Sequence, residues 1–75
     1  MKIIIIEDES LMANYLADQL QLLDPKIEVM QLLDSVESAL AYFEKHPLPD
    51  LFFSDIQLPD GLSFEIFHQV NSQVP

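Results

Sequence analysis

Apolar positions along this chain fall first in a solid run, then at helical spacing, and the two patterns keep alternating. Lys2–Ile6 is a β-branched run too short for a helix, and it predicts a strand buried on both faces. From Ser10, residues Leu11, Met12, Tyr15, Leu16, Leu20 and Leu23 form a helical stripe, which Asp24-Pro25 ends. Lys26–Leu33 carries Ile27, Val29 and Leu33 at alternate positions and predicts a strand nearer the sheet edge. Asp34-Ser35-Val36-Glu37 reads as a capping box, with Asp34 as acceptor and Glu37 three residues on. The helix that follows is expected to bury Val36, Ala39, Leu40 and Phe43 and to stop at His46-Pro47. Leu48-Pro49-Asp50 is a turn, Leu51–Ser54 a third strand, and Gln57–Leu62 a loop. Ser63–Val70 predicts a helix with Ile66, Phe67 and Val70 inward; Met12 and the phenylalanines are expected in the core.

The order β-α-β-α-β-α predicts an α/β fold with a parallel sheet. Right-handed crossovers put the first strand in the centre, the second on one side and the third on the other, the order 2-1-3. The topological switch point then falls between the first and third strands, where open α/β sheets bind ligands.

Composition narrows the options. A chain of 75 residues is one small domain or part of one, with a core near the lower limit for independent stability. Its net charge is −10, from 13 acidic residues against Lys2, Lys26 and Lys45, so it repels nucleic acid and anionic membrane. The lack of cysteine excludes disulfides, a thiol nucleophile and a cysteine-ligated metal. The apolar runs are too short for a membrane span, and Lys2 followed by isoleucines and then acid is no signal peptide, so a cytoplasmic location is expected.

The candidate chemistry sits where two apolar runs end. Glu7-Asp8-Glu9 follows the isoleucines, and Asp55 follows Leu51-Phe52-Phe53-Ser54. Neighbouring parallel strands would bring Glu7, Asp8 and Asp55 together, and such a cluster suits a hard divalent cation and a phosphoryl group. Asp8 and Asp55 are the expected direct ligands of Mg2+, Glu7 acts through a water, and the backbone carbonyl of Gln57 completes the shell. Clustered acids without a cation lose stability by like-charge repulsion. Asp55 is the better placed nucleophile, able to form an aspartyl phosphate. Pro59 and Gly61 rigidify and turn the loop that follows.

Other acids have plainer explanations. Glu9, Asp18, Glu28, Glu37, Glu44 and Glu65 fit solvated helix or strand faces. Asp24 and Asp50 adjoin prolines as turn formers, Asp34 is a cap, and Asp60-Gly61 is first of all a turn dipeptide. His46 and His68 are expected on the surface, and Ser54 alternates away from Asp55.

The pairing of Ile3-Ile4-Ile5-Ile6-Glu7-Asp8-Glu9-Ser10 with Ser54-Asp55-Ile56-Gln57-Leu58-Pro59-Asp60-Gly61 resembles the receiver domain of two-component response regulators. The resemblance implies a flavodoxin-like sheet and a phosphoacceptor Asp55 charged by a sensor histidine kinase. Glu7, Asp8 and the Gln57 carbonyl would arrange Mg2+, and a DNA-binding domain elsewhere would control transcription. It implies a signalling module, not an enzyme. Leu58–Phe67 is also similar to receivers joined to LytTR-type domains.

The chain departs from the family at Glu7, where aspartate is common. Residues 1–75 correspond to the N-terminal part of a single receiver domain, and Val74-Pro75 resembles the approach to a fourth strand. The hydroxyl residue and lysine that receivers carry on two further strands have no counterpart, and Lys2, Lys26 and Lys45 are misplaced for that role. A truncated chain of this kind is not expected to switch. Its third strand would form an apolar edge, so self-association through that edge and through uncovered helix faces is expected. Two alternatives stand beside this reading: a receiver-shaped interaction module that never sees phosphate, and an aspartate-nucleophile phosphatase. The phosphatase needs an aspartate two residues after Asp55, where Gln57 stands.

Overall fold

The isoleucine run forms the central strand, β1 (Lys2–Ile6), in a computed structural model that describes residues 1–72. Strands β2 (Glu28–Leu33) and β3 (Leu51–Ser54) flank it in parallel, giving the order β2-β1-β3. With neighbours on both sides and helices on both faces, Ile3, Ile4, Ile5 and Ile6 are almost inaccessible to solvent. Each such burial stabilises by roughly 1.5–3 kcal/mol. Asp50 closes the start of the β1–β3 pair: its amide donates to the Lys2 carbonyl at 2.8 Å, and its Oδ2 accepts from the Lys2 amide at 2.8 Å.

Helix α1 (Ser10–Leu23) covers one face, while α2 (Val36–Lys45) and α3 (Ser63–Ser72) cover the other. On the α2/α3 face, Ile4, Ile6, Leu33, Val36, Ala39, Ile66 and Val70 form a closed cluster. Phe52 lies against it between Phe43 and Phe67, edge-to-face with both, at centroid distances of 5.5 and 5.0 Å. Leu40, Phe43 and Phe67 are half-buried there, so the expected inward faces of α2 and α3 hold.

The stripe on α1 is rotated from the expected one. Ala13 and Leu20 are buried, with Leu16 and Ala17 packed beside them, whereas Leu11, Met12, Tyr15 and Leu23 are exposed. Small alanines let the helix approach the sheet most closely, and their weak apolar signal hid that face from the pattern. Met12 is therefore not core, and neither is Phe64, which α3 turns outward while Ile66 and Val70 point in.

Two further expectations need correction. Alternation does not persist through β2, because the partners of Ile3 and Ile4 are Val29 and Gln31, leaving Met30 as an extra residue. Val29 thus packs with Ile3 and Ile5, and Leu33 with Ile4 and Ile6, on opposite faces. The capping box of α2 also lies one residue on from its expected place. Ser35 is the cap: its Oγ accepts from the Ser38 amide at 3.0 Å, and its own amide donates to Ser38 Oγ at 3.1 Å. Asp34 instead accepts from Ser38 Oγ at 3.1 Å.

The expected loop after Asp55 is in fact a tight hairpin. Strands β4 (Gln57–Leu58) and β5 (Gly61–Leu62) pair antiparallel around Pro59-Asp60, and Gly61 takes a φ of +150° that favours glycine. Leu58 anchors the hairpin in the α2/α3 cluster. The expected approach to a fourth strand, Val74-Pro75, lies outside the described residues.

Candidate metal and phosphoryl site

Backbone pairing at the carboxyl end of the sheet sets the site. The Glu7 amide donates to the Leu33 carbonyl at 2.8 Å, and the Asp55 amide donates to the Ile6 carbonyl at 3.0 Å. The residues leaving β1 and β3 are thereby held side by side. Carboxylate oxygens of Glu7, Asp8 and Asp55 all lie within 4.8 Å of one another, with Glu7 half-buried and the two aspartates exposed. The sequence expected this trio together, and the structure brings it together.

The site's electrostatics show in Glu7, whose carboxyl is held above the usual glutamate range. Burial is the leading cause, and the charges of Asp55, Asp8 and Glu9 push the same way. A bond from the Glu9 amide to Glu7 Oε1, long at 3.4 Å, partly opposes the rise. Three hard oxygen donors from crowded carboxylates fit a small divalent cation that keeps part of its water shell. Beside them a cavity of about 440 Å³, lined by Ile5, Ile6, Glu7, Met12, Phe53 and Asp55 among others, leaves Asp55 open to an incoming group.

The hairpin sets the backbone of Gln57, two residues after Asp55. In the hairpin Leu58 pairs with Gly61 and Gln57 with Leu62, and the Ser63 amide donates to the Ile56 carbonyl at 2.9 Å. Antiparallel ladders alternate bonded and non-bonded pairs, so the Gln57 carbonyl falls at a non-bonded position. That carbonyl is therefore free of the ladder. Ser54 stays out of the carboxylate cluster; its Oγ donates to the Asp55 carbonyl at 3.0 Å.

Asp60 does more than turn the chain. Its Oδ1 accepts from the Val36 amide at 2.8 Å and its Oδ2 from the Glu37 amide at 2.9 Å, so it caps α2 from another element. Those two bonds, Glu37 first, hold its carboxyl below the usual aspartate range. The partners stand 24 and 23 residues away, and Pro-Asp-Gly is complete as a local turn signal, so nothing nearby in sequence announced them.

Residues 3–75 match the response regulator receiver domain family, and the chain belongs to that family. It is similar to the crystal structure of the response regulator PhyR from Brucella abortus, at 30% identity and a TM-score of 0.81. The match covers 97% of this chain and 29% of the PhyR chain. No curated protein matches the sequence. The parallel order β2-β1-β3 with its three helices is the corresponding part of the flavodoxin-like receiver fold.

Proposed function

We propose that this chain is a phosphoacceptor module, charged at Asp55 by a sensor histidine kinase and acting as a signalling element rather than a turnover enzyme. The observation that carries the reading is the convergence of Glu7, Asp8 and Asp55 at the carboxyl end of β1 and β3. In the transfer, an Asp55 carboxylate oxygen forms a bond to phosphorus while the P–N bond of phosphohistidine breaks. The electron pair leaves with the imidazole, which ends neutral after taking up a proton. Mg2+, when held by Asp8, Asp55, the Gln57 carbonyl and, through water, Glu7, neutralises charge on the transferring group. The protein's own part is to fix Asp55 at a rigid strand end and leave its outer side open.

The receiver family is the reason to name a histidine kinase as partner and control of transcription through a further domain as output. A cytoplasmic setting follows from the same reading, and no described helix is long and apolar enough to cross a membrane. Intact-mass analysis after incubation with Mg2+ and acetyl phosphate tests the chemistry. A single phosphoryl adduct on the native chain, absent from Asp55→Asn, is the expected result; labelling of Asp55→Asn would move the acceptor elsewhere.

A second copy of the chain is the other partner we propose. Among the described residues β3 pairs with β1 alone, and its outer edge is a template for self-pairing across a two-fold axis. Exposed Leu11, Met12 and Tyr15 add apolar surface on α1. Light scattering is expected to give a mass above that of one chain, and a monodisperse monomer at high concentration would rule this out.

A further inference from the structure

The geometry points to Asp60 as a positioning residue for the metal site, acting through the hairpin that carries Gln57. The inference rests on the reading of Glu7, Asp8, Asp55 and Gln57 as that site. The hairpin is a short, stiff lever held at three places. At its base, the Asp55 amide bonds the Ile6 carbonyl, and the Ser63 amide bonds the Ile56 carbonyl. Along its length, Leu58 is buried between α2 and α3. At its tip, both oxygens of Asp60 grip the first amides of α2.

Two residues, Leu58 and Pro59, separate the grip from the carbonyl that it positions. Between them Leu58 pairs with Gly61, and Pro59 has a fixed φ, so the segment has little freedom to absorb a released tip. Loss of the grip lets the tip swing about Leu58, and the Gln57 carbonyl swings with it. The start of α2 does not depend on Asp60 alone, because Ser35 and Ser38 form their own box that serves the Ser35 and Ser38 amides. Asp60 is thus more than a helix cap: its two bonds tie the tip of the hairpin to the first turn of α2.

This division of labour is testable on the native chain with Mg2+ alone as the probe. Affinity is measured by calorimetric titration at a temperature where circular dichroism shows each variant folded. Asp60→Ala is expected to weaken Mg2+ binding by about 10-fold, the scale on which outer contacts tune a metal site. Asp60→Asn, which keeps one acceptor oxygen, is expected to fall between, and it serves as the main variant if Asp60→Ala does not fold. Ser35→Ala removes the local cap without touching the hairpin and is expected to lower the melting temperature while leaving Mg2+ affinity unchanged.

Native affinity in the Asp60 variants would overturn the inference, and so would an equal loss in Ser35→Ala, since general loosening of α2 would then explain both. Failure of the native chain to bind Mg2+ would overturn the metal-site reading itself, and this inference with it.

Discussion

The two faces of the central sheet are built from alternate residues of one isoleucine run, yet they are finished differently. Ile4 and Ile6 look into a face closed by α2, α3 and the hairpin, where Ile66 is 0% exposed. Among the described residues, Ile3 and Ile5 look toward α1 alone, and Met12 on that helix is 51% exposed although its sequence pattern promised burial. Hydrophobic residues at good helical spacing are thus core on one face and surface on the other. The difference teaches that periodicity reports which residues can be buried, while the number of elements packed over a face decides which are.

That contrast can be broken by substitution. Ile66→Ala empties a closed site and is expected to cost about 2–5 kcal/mol in denaturant unfolding. Met12→Ala, measured alongside it, is expected to change the stability of a single copy by less than about 0.5 kcal/mol. Equal losses would mean that the α1 face is covered in solution.

A smaller effect sharpens the role of the hairpin in closing the other face. Gly61→Ala places a Cβ against the Glu65 carboxylate at a φ of +150°, and about 1–3 kcal/mol of destabilisation is expected. Glu65 is flexible and can move aside, so the backbone sets the penalty. An unchanged melting temperature would show that the turn relaxes freely.

The smallest expected effect concerns pH at the end of the sheet shared by both faces. Glu7 has its pKa raised on folding, so metal-free stability rises as pH falls from neutral through the folded value toward 4.5, where the unfolded chain also protonates. Asp60 runs the other way: its lowered pKa contributes stability that is lost only as pH falls below 3.8 and through the folded value. The two windows therefore separate. Glu7→Gln is expected to flatten the upper window, and Mg2+ to do the same; a slope unaltered by Glu7→Gln would place the acid sensitivity at another group.

Much of the site was legible along the chain because it is set by strand ends. Once β1 and β3 are neighbours, Glu7-Asp8 and Asp55 have nowhere else to go, and the backbone bonds at Leu33 and Ile6 fix them. Gly61 was legible too, since Asp-Gly after proline marks a turn and positive φ is glycine's property. The bulge at Met30 was not, because whether a residue is extra depends on the partner strand and not on its own neighbours. The shift of the α2 cap to Ser35 was missed for a simpler reason: Asp34 and Ser35 are both good acceptors, and only the path out of β2 selects between them.

Sequence alone determined the run that becomes the central strand, the order of elements, and the acids that meet at their ends, because these follow from local period and chain connectivity. Tertiary structure decided the rest. It chose alanines over Leu11 and Met12 as the inner face of α1, since only close approach to a sheet rewards a small side chain. It also made Asp60 a clasp between the loop after β3 and the start of α2, a contact spanning 24 residues that exists only when both ends are folded against each other.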